Sequence, residues 1–324
     1  MENTLADFFN THSHLRYIYF GGKGGVGKTV VAAAVANWLA RQGKKTLLAS
    51  TNPVHSLSNL FKRDVFGKPT RIPETENLYV QEIDTKDTIE KSKVEIREKI
   101  SWFLKFADIP TKAEDFIESA TMNPAFEESA MFENMINIIF EDQYESYVFD
   151  TAPTANARRL LGMSKVYALW VDKMMKSRGD AKTMRLSLSF RKKKVEEEAD
   201  PLLDYLTTFR DRIEKMRDLL TDKEKSAFFF ITLLESLPIA VIRRFIGWFE
   251  DFGIPIGGVI INQAIDQSQV CEDSAEFVKN RCGMQNRYRE EAKMLFKNIC
   301  GEIPLFESEV RGIEMVSKVT DSLF

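Results

Sequence analysis

The chain has 324 residues, 44% hydrophobic and 29% charged, with a formal net charge of −3. That length accommodates one large α/β domain or a core with a sizeable insertion, and the composition is that of a soluble globular protein. The mild acidity argues against a nucleic-acid protein, no apolar run is long enough to cross a bilayer, and residues 1–9 lack the basic and apolar regions of a signal peptide. Cys271, Cys282 and Cys300 do not make a disulfide framework, so a reduced, cytoplasmic protein is expected.

The first element is an apolar run over residues 16–20, read as a buried strand. It feeds a glycine-rich turn, and residues 30–40 beyond the turn read as a packed helix. Gly22-Lys23-Gly24-Gly25-Val26-Gly27-Lys28-Thr29 fits the phosphate-binding pattern G-x-x-x-x-G-K-[ST] in its strand–loop–helix setting. Glycines let the backbone wrap a phosphate, while N–H groups and the helix N-terminus supply positive potential. Lys28 is expected to reach the β- and γ-phosphates, and the Thr29 hydroxyl to ligate magnesium. Lys23 is a second cation inside the turn. A fixed cation beside a leaving phosphate stabilises developing charge; the plainer alternative is a solvated surface lysine.

Further strands are expected over residues 44–50, 78–83, 147–150, 227–234, 257–262 and 302–305. Helical patterns separate most of them, as at 239–251 and 285–299. Continuous apolar strands alternating with helices predict an α/β fold with a mainly parallel sheet covered on both faces. Ligands of such sheets sit at the carboxyl ends of the strands. Phe20, Ser50, Asp150, Leu234 and Asn262 all fall there. Two helical stretches are too long for simple crossovers. Residues 87–140 and 164–225 are therefore read as insertions forming one helical subdomain, beside a core of residues 1–86, 141–163 and 226–324. The charge reversal at residues 191–198 is read as a solvated helix or loop.

Asp150-Thr151-Ala152-Pro153-Thr154 follows the fourth strand. An aspartate at a strand end beside such a loop can hold magnesium through water, and the turn after it can sense the γ-phosphate. Ser50-Thr51-Asn52-Pro53-Val54-His55-Ser56-Leu57-Ser58 follows the second strand. The Gly-Lys-Gly-Gly-Val-Gly-Lys-Thr turn resembles the deviant P-loop of a class that includes septum-positioning and partition ATPases, the nitrogenase iron protein and arsenical-pump ATPases. Taken with the two switch-like segments, Asn262-Gln263, Met284-Gln285-Asn286-Arg287-Tyr288 and residues 303–312, the chain resembles the arsenical-pump and tail-anchored-protein targeting ATPase family over nearly its whole length.

That resemblance implies a homodimer that binds ATP and magnesium. Lys23 would cross the dimer interface to the partner's nucleotide, and Glu235 would also sit near the nucleotide across the dimer. Asn262 would recognise adenine, and the segment holding Pro304, Leu305, Phe306 and Arg311 would pass over the base. An amide suits adenine because it both donates and accepts along one base edge. The targeting branch also implies a groove for the apolar helix of a client, and a membrane receptor. Flexible methionines suit such a surface, and Met131, Met135, Met174, Met175 and Met184 are the candidates. The alternative is that they pack the insertions' own core.

Three departures from the family pattern stand out. Asn52 occupies the place of the first switch's aspartate, which would polarise the attacking water. An amide can hydrogen-bond that water but cannot take its proton. Slow hydrolysis is therefore expected, or in the limit a nucleotide-dependent binding module with negligible turnover. Ala275 and Val278 stand where the targeting factors often carry the C-x-x-C of a shared zinc site, so no structural zinc is expected. No cysteine precedes Cys271, which disfavours the further alternative of an arsenite or antimonite efflux subunit, because soft metalloids need thiolates. A partition or septum-positioning role would call for a basic surface or a lipid-binding terminal helix; Glu314, Lys318 and Asp321 do not make the latter.

Overall fold

A computed structural model describes residues 4–50, 56–84, 134–150 and 201–324, together with 86–91, 93–94, 97–98 and 176. Its elements run α1 (Leu5–Thr11), β1 (Tyr17–Gly21), α2 (Lys28–Arg41), β2 (Thr46–Ser50), α3 (Ser56–Phe61), β3 (Thr70–Arg71), β4 (Leu78–Glu82) and β5 (Ser146–Asp150). They continue with α4 (Pro201–Thr221), β6 (Ser226–Thr232), α5 (Ser236–Asp251), β7 (Ile256–Ala264), α6 (Glu276–Leu295), β8 (Ile299–Pro304) and α7 (Ile313–Leu323). The eight strands form one sheet in the order β3-β4-β2-β5-β1-β6-β7-β8. Every pairing is parallel except that of β3 with β4.

Period-two alternation explains both faces of this sheet. Ile18, Phe20, Leu48, Val148, Phe229 and Ile231 join the layer of Val31, Val35, Leu39, Val316 and Val319 from α2 and α7. Their neighbours Tyr17, Tyr19, Leu47, Tyr147, Phe149, Phe228 and Phe230 join Ile239, Ile242 and Phe249 of α5 on the other face. Ring stacking ties that second layer together: Tyr19 lies 4.4 Å from Phe228 and 5.2 Å from Phe149 between centroids. Because helices cover both faces, β1, β2, β5 and β6 are buried at every position, as their continuous apolar sequences require.

The expected α/β architecture is found, with local differences. The strand expected at 302–305 begins at Ile299, and the helix expected over 285–299 is Glu276–Leu295. Edge pairing decides this: Asn298 accepts from Val259 N–H at 2.9 Å and its side-chain amide donates to the Gly257 carbonyl at 2.7 Å, drawing residues 298–300 beside β7. β6 closes at Thr232, short of the expected Leu234. Two elements carried no strong apolar period. One is β3; the other is α1, which a capping box between Thr4 and Asp7 begins.

The described parts of the two proposed insertions include residues 134–140 and α4, and both are helical. Each reaches the main core. Met135, Ile136 and Ile139 are buried with Met216 and Leu220 against the aromatic face of the sheet. Met135, one of the groove candidates, is thus only 6% exposed and serves as core packing. Its spacing with Ile136 and Ile139 builds a stripe that the sheet covers. Met131, Met174, Met175 and Met184 lie outside the described residues.

α7 buries Val316, Val319 and Leu323, so its apolar face is occupied by the core. Asn37 of α2 donates to Thr320 Oγ1 at 3.0 Å and accepts from Thr75 Oγ1 at 2.8 Å, and Trp38 stacks on Phe324. Among the described residues no helix is long and apolar enough to cross a membrane.

Candidate functional site

The carboxyl ends of β4, β2, β5 and β1 form a row, because Glu82 pairs with Ser50, Ser50 with Asp150, and Asp150 with Phe20. The glycine turn leaves β1 from this row and α2 starts at its far side. Gly22 sits with its Cα only far enough from β6 for hydrogen: a Cβ there would lie 2.6 Å from the Ile231 carbonyl oxygen. Gly27 has φ of +91°, and a Cβ on it would come within 2.2 Å of the Asn262 amide nitrogen. The turn therefore needs glycine at both points, for close approach and for a left-handed backbone. Val26 is buried beneath it, whereas Gly24 and Gly25 are exposed.

Four side chains, those of Lys28, Thr29, Ser50 and Asp150, meet at the mouth of this turn. Thr29 donates its hydroxyl hydrogen to Asp150 Oδ2 at 2.6 Å, and Ser50 donates to the same oxygen at 3.1 Å. Lys28 folds back and donates from Nζ to the Lys23 carbonyl at 3.1 Å. Asp150 is 1% exposed. Burial raises its carboxyl above the ordinary range, against the opposing pull of Thr29, Lys28 and Ser50, and Glu82 adds to the rise. Burial likewise lowers Lys28 from its usual value, and the charge of Asp150 partly offsets this. Among the described residues the Lys23 ammonium has no carboxylate partner.

A hydroxyl and one carboxylate with room for waters suit a small hard cation that takes its other ligands from a phosphate. Thr29 and Asp150 fit magnesium in that sense. The described residues contain no cluster of His, Cys, Asp or Glu able to hold a metal alone. Cys271 is exposed, Cys282 and Cys300 are buried, and burial pushes the Cys300 thiol up to about 12. Ala275 is the N-cap of α6 and Val278 lies in its first turn.

Asn262, near the end of β7, is 6% exposed. Its amide donates to the Val26 carbonyl at 2.9 Å and its Oδ1 accepts from Gln263 N–H at 3.0 Å, leaving one amide hydrogen and one lone pair. The next residue, Gln263, has φ of +56°, rare outside glycine. Gln285 of α6 holds that bend, accepting from Ile265 N–H at 2.8 Å and donating to the Gln263 carbonyl at 3.0 Å. Glu235 caps α5 without a side-chain cap bond and pairs with Arg281 of α6 at 2.5 Å. Pro304 ends β8; Leu305 is 54% exposed and anchored to the Ala264 carbonyl at 2.8 Å, and Phe306 packs at the edge of the α2 face of the core. Arg311 lines a cleft of about 630 Å³ with Ser58, Asn59, Lys62, Arg63, Asp64 and Phe66. Asn52, Thr151, Ala152, Pro153 and Thr154 lie outside the described residues.

Sequence reasoning did not single out Glu82, Arg281 or the clamp made by Gln285. Gln285 lay inside a quoted motif, but its partners are twenty and twenty-two residues away. Glu82 had one signal available: an acidic residue closing an otherwise apolar strand.

A glycine turn between the central strand and its helix, with lysine, threonine and a buried strand-end aspartate at its mouth, defines a P-loop nucleotide-binding α/β protein. Comparison of the sequence narrows the class. The family model described as anion-transporting ATPase matches residues 15–324, and the chain belongs to that family. It is 31% identical over 318 residues to a putative arsenical pump-driving ATPase 2 of Aquifex aeolicus, covering 95% of this chain and 99% of that protein. It is 28% identical to ATPase ASNA1 homolog 2 of Paramecium tetraurelia, covering 100% of this chain and 97% of the other. Identity to ATPase GET3A of Arabidopsis thaliana is also 28%, covering 97% of this chain and 84% of that one. Family and relatives alike support an ATPase.

Proposed function

We propose that the chain is a cytoplasmic, homodimeric ATPase whose magnesium–ATP-bound and hydrolysed states open and close a surface for a hydrophobic client, in the manner of tail-anchored-protein targeting. The observation that carries the ATPase part is the 2.6 Å contact of Thr29 with the buried Asp150 carboxylate at the mouth of the glycine turn. Turn amides and Lys28 hold the triphosphate oxygens. Thr29 and Asp150 orient the cation, the latter through water. Magnesium, when bound, neutralises charge on the β- and γ-oxygens. Lys23, which has no carboxylate partner among the described residues, extends toward the second protomer's nucleotide and stabilises the leaving phosphate there. Glu235 faces that same interface, with Arg281 holding it in place. Asn262 offers its remaining hydrogen and lone pair to the base, and the segment Pro304 to Arg311 closes over it.

The client part rests on the methionine-rich segments within 87–140 and 164–225, above all Met131, Met174, Met175 and Met184. Met135 belongs to the core instead. A membrane receptor follows from the same reading; neither nucleic-acid binding nor stable membrane insertion does. Co-expression with a tail-anchored protein tests it. A soluble complex favoured by one nucleotide state is expected; its absence in every state contradicts the client role.

Asn52 favours a second reading, a nucleotide-dependent binding module with negligible hydrolysis. Phosphate release separates the two. The chain as it stands is expected to turn over slowly, and Asn52→Asp to accelerate it by about 10² or more, the usual worth of a positioned general base. Equal rates remove residue 52 from the mechanism. An arsenite or antimonite efflux role is disfavoured. Cys300 is kept protonated by burial and so is a poor soft-metal ligand, and no cysteine lies in the first 270 residues.

A further inference from the structure

We propose that Glu82 is a positioning residue of the nucleotide switch, holding the first turn of α3, the helix that begins four residues after Asn52 in the chain. The inference rests on reading residues 50–58 as a segment that responds to nucleotide.

Glu82 ends β4 and is 1% exposed. Its Oε1 accepts from Leu57 N–H at 3.0 Å, and its Oε2 accepts from the Ser58 hydroxyl at 2.6 Å and from Ser58 N–H at 3.4 Å. These donors belong to the first residues of α3. The backbone of Glu82 is itself pinned on both sides: its N–H donates to the Val65 carbonyl and its carbonyl accepts from Gly67 N–H, each at 2.8 Å. Ile83 N–H donates to the Ser50 carbonyl at 3.1 Å, and the Ser50 hydroxyl donates to Asp150. Ser50 and the first turn of α3 are therefore each bonded to residues of the sheet.

A carboxylate is the group that can do this. It presents two acceptor oxygens, and charge-assisted bonds to N–H and O–H are roughly twice as strong as neutral ones. Glutamine would keep the size but lose the charge, and its NH₂ would either face the Leu57 N–H, donor against donor, or force the Ser58 hydroxyl to accept instead of donate. Displacement of α3 would also be felt further on. Gly312 N–H donates to the Leu60 carbonyl at 2.6 Å, and Ser58 and Asn59 share the Arg311 cleft. Glu82 thus stands where a change beside the γ-phosphate is passed to the segment that closes over the base.

The test is ATP titration together with hydrogen exchange over residues 50–61, on the full chain with and without ATP and magnesium. Wild type, Glu82→Gln, Ser58→Ala and the double variant are compared. Exchange over 56–61 is expected to rise about tenfold in Glu82→Gln, as loss of a charge-assisted bond implies. ATP affinity is expected to stay within about threefold, while the ATP-induced change over 50–61 disappears. Ser58→Ala should show a smaller effect in the same direction, and the double variant no more than Glu82→Gln alone, since the two share one contact. Unchanged exchange at 56–61, or an ATP-induced change that persists in Glu82→Gln, overturns the inference. If Glu82→Gln does not fold, Ser58→Ala decides, and wild-type exchange over 56–61 in that variant is contrary. Failure of the unsubstituted chain to bind ATP is a different result: it overturns the nucleotide reading itself.

Discussion

At the scale of single residues, Asp150 carries the conflict between stability and chemistry. Burial raises its carboxyl in the folded chain despite the donors around it. A folded-state value above the unfolded one means that the fold holds the proton more tightly, so this group's contribution to stability is greatest below the unfolded value and is lost as pH rises through the folded value. At neutral pH the charge is a net cost. Asp150→Asn is therefore expected to raise Tm at pH 7, the difference shrinking toward acid pH; an equal or lower Tm at pH 7 contradicts this. Magnesium–ATP binding runs the other way, because it needs the ionised carboxylate. Its acid limb is expected above the ordinary aspartate range and absent from the variant. Burial also lowers Lys28, so the alkaline limb should begin below the ordinary lysine range. Lys28 stood out in the sequence through the spacing of the glycine turn, and Asp150 through its place at the end of an apolar strand. Glu82 did not: its value lies in Leu57 and Ser58, partners that only the sheet register brings to it.

At the scale of elements, α6 locks the far side of the site. Gln285 clamps the left-handed bend at Gln263, Arg281 pairs with Glu235, and Arg289 grips Glu302 of β8 through Nη2 at 2.5 Å. Gln285→Leu leaves the part-buried Ile265 N–H and Gln263 carbonyl without that partner, a loss of about 0.5–1.5 kcal/mol for each hydrogen bond. The expected result is a lower Tm and weaker ATP binding, measured by thermal melting and nucleotide titration. Unaltered affinity would detach this clamp from the site. The buried strands were legible from their continuous apolar runs, each bounded by a polar residue. The α6–β8 boundary was not, because Leu295, Phe296 and Ile299 continue a helical period, while the bonds that end it come from Gly257 and Val259 of a neighbouring strand. Met135 stayed open between two readings for a related reason: a methionine stripe reads alike on a client surface and under a sheet.

At the scale of the whole molecule, β1 stands near the centre of the sheet between β5 and β6, with β2 to β5 on one side and β6 to β8 on the other. Such a switch point opens a crevice at the carboxyl ends of the strands. Of the described residues proposed for ATP, Asp150 closes β5 on that edge and Asn262 lies near the end of β7. One protomer supplies the cradle; the account requires a second protomer to supply Lys23. Phosphate release per chain, followed against protein concentration, tests this most directly. It is best measured in the Asn52→Asp background, where turnover is expected to be fast, with and without Lys23→Ala. Turnover per chain is predicted to rise with concentration to a plateau as protomers pair, and to stay at a low floor in Lys23→Ala although that variant still binds ATP. A rate per chain that ignores concentration and is unchanged by Lys23→Ala would contradict the shared site.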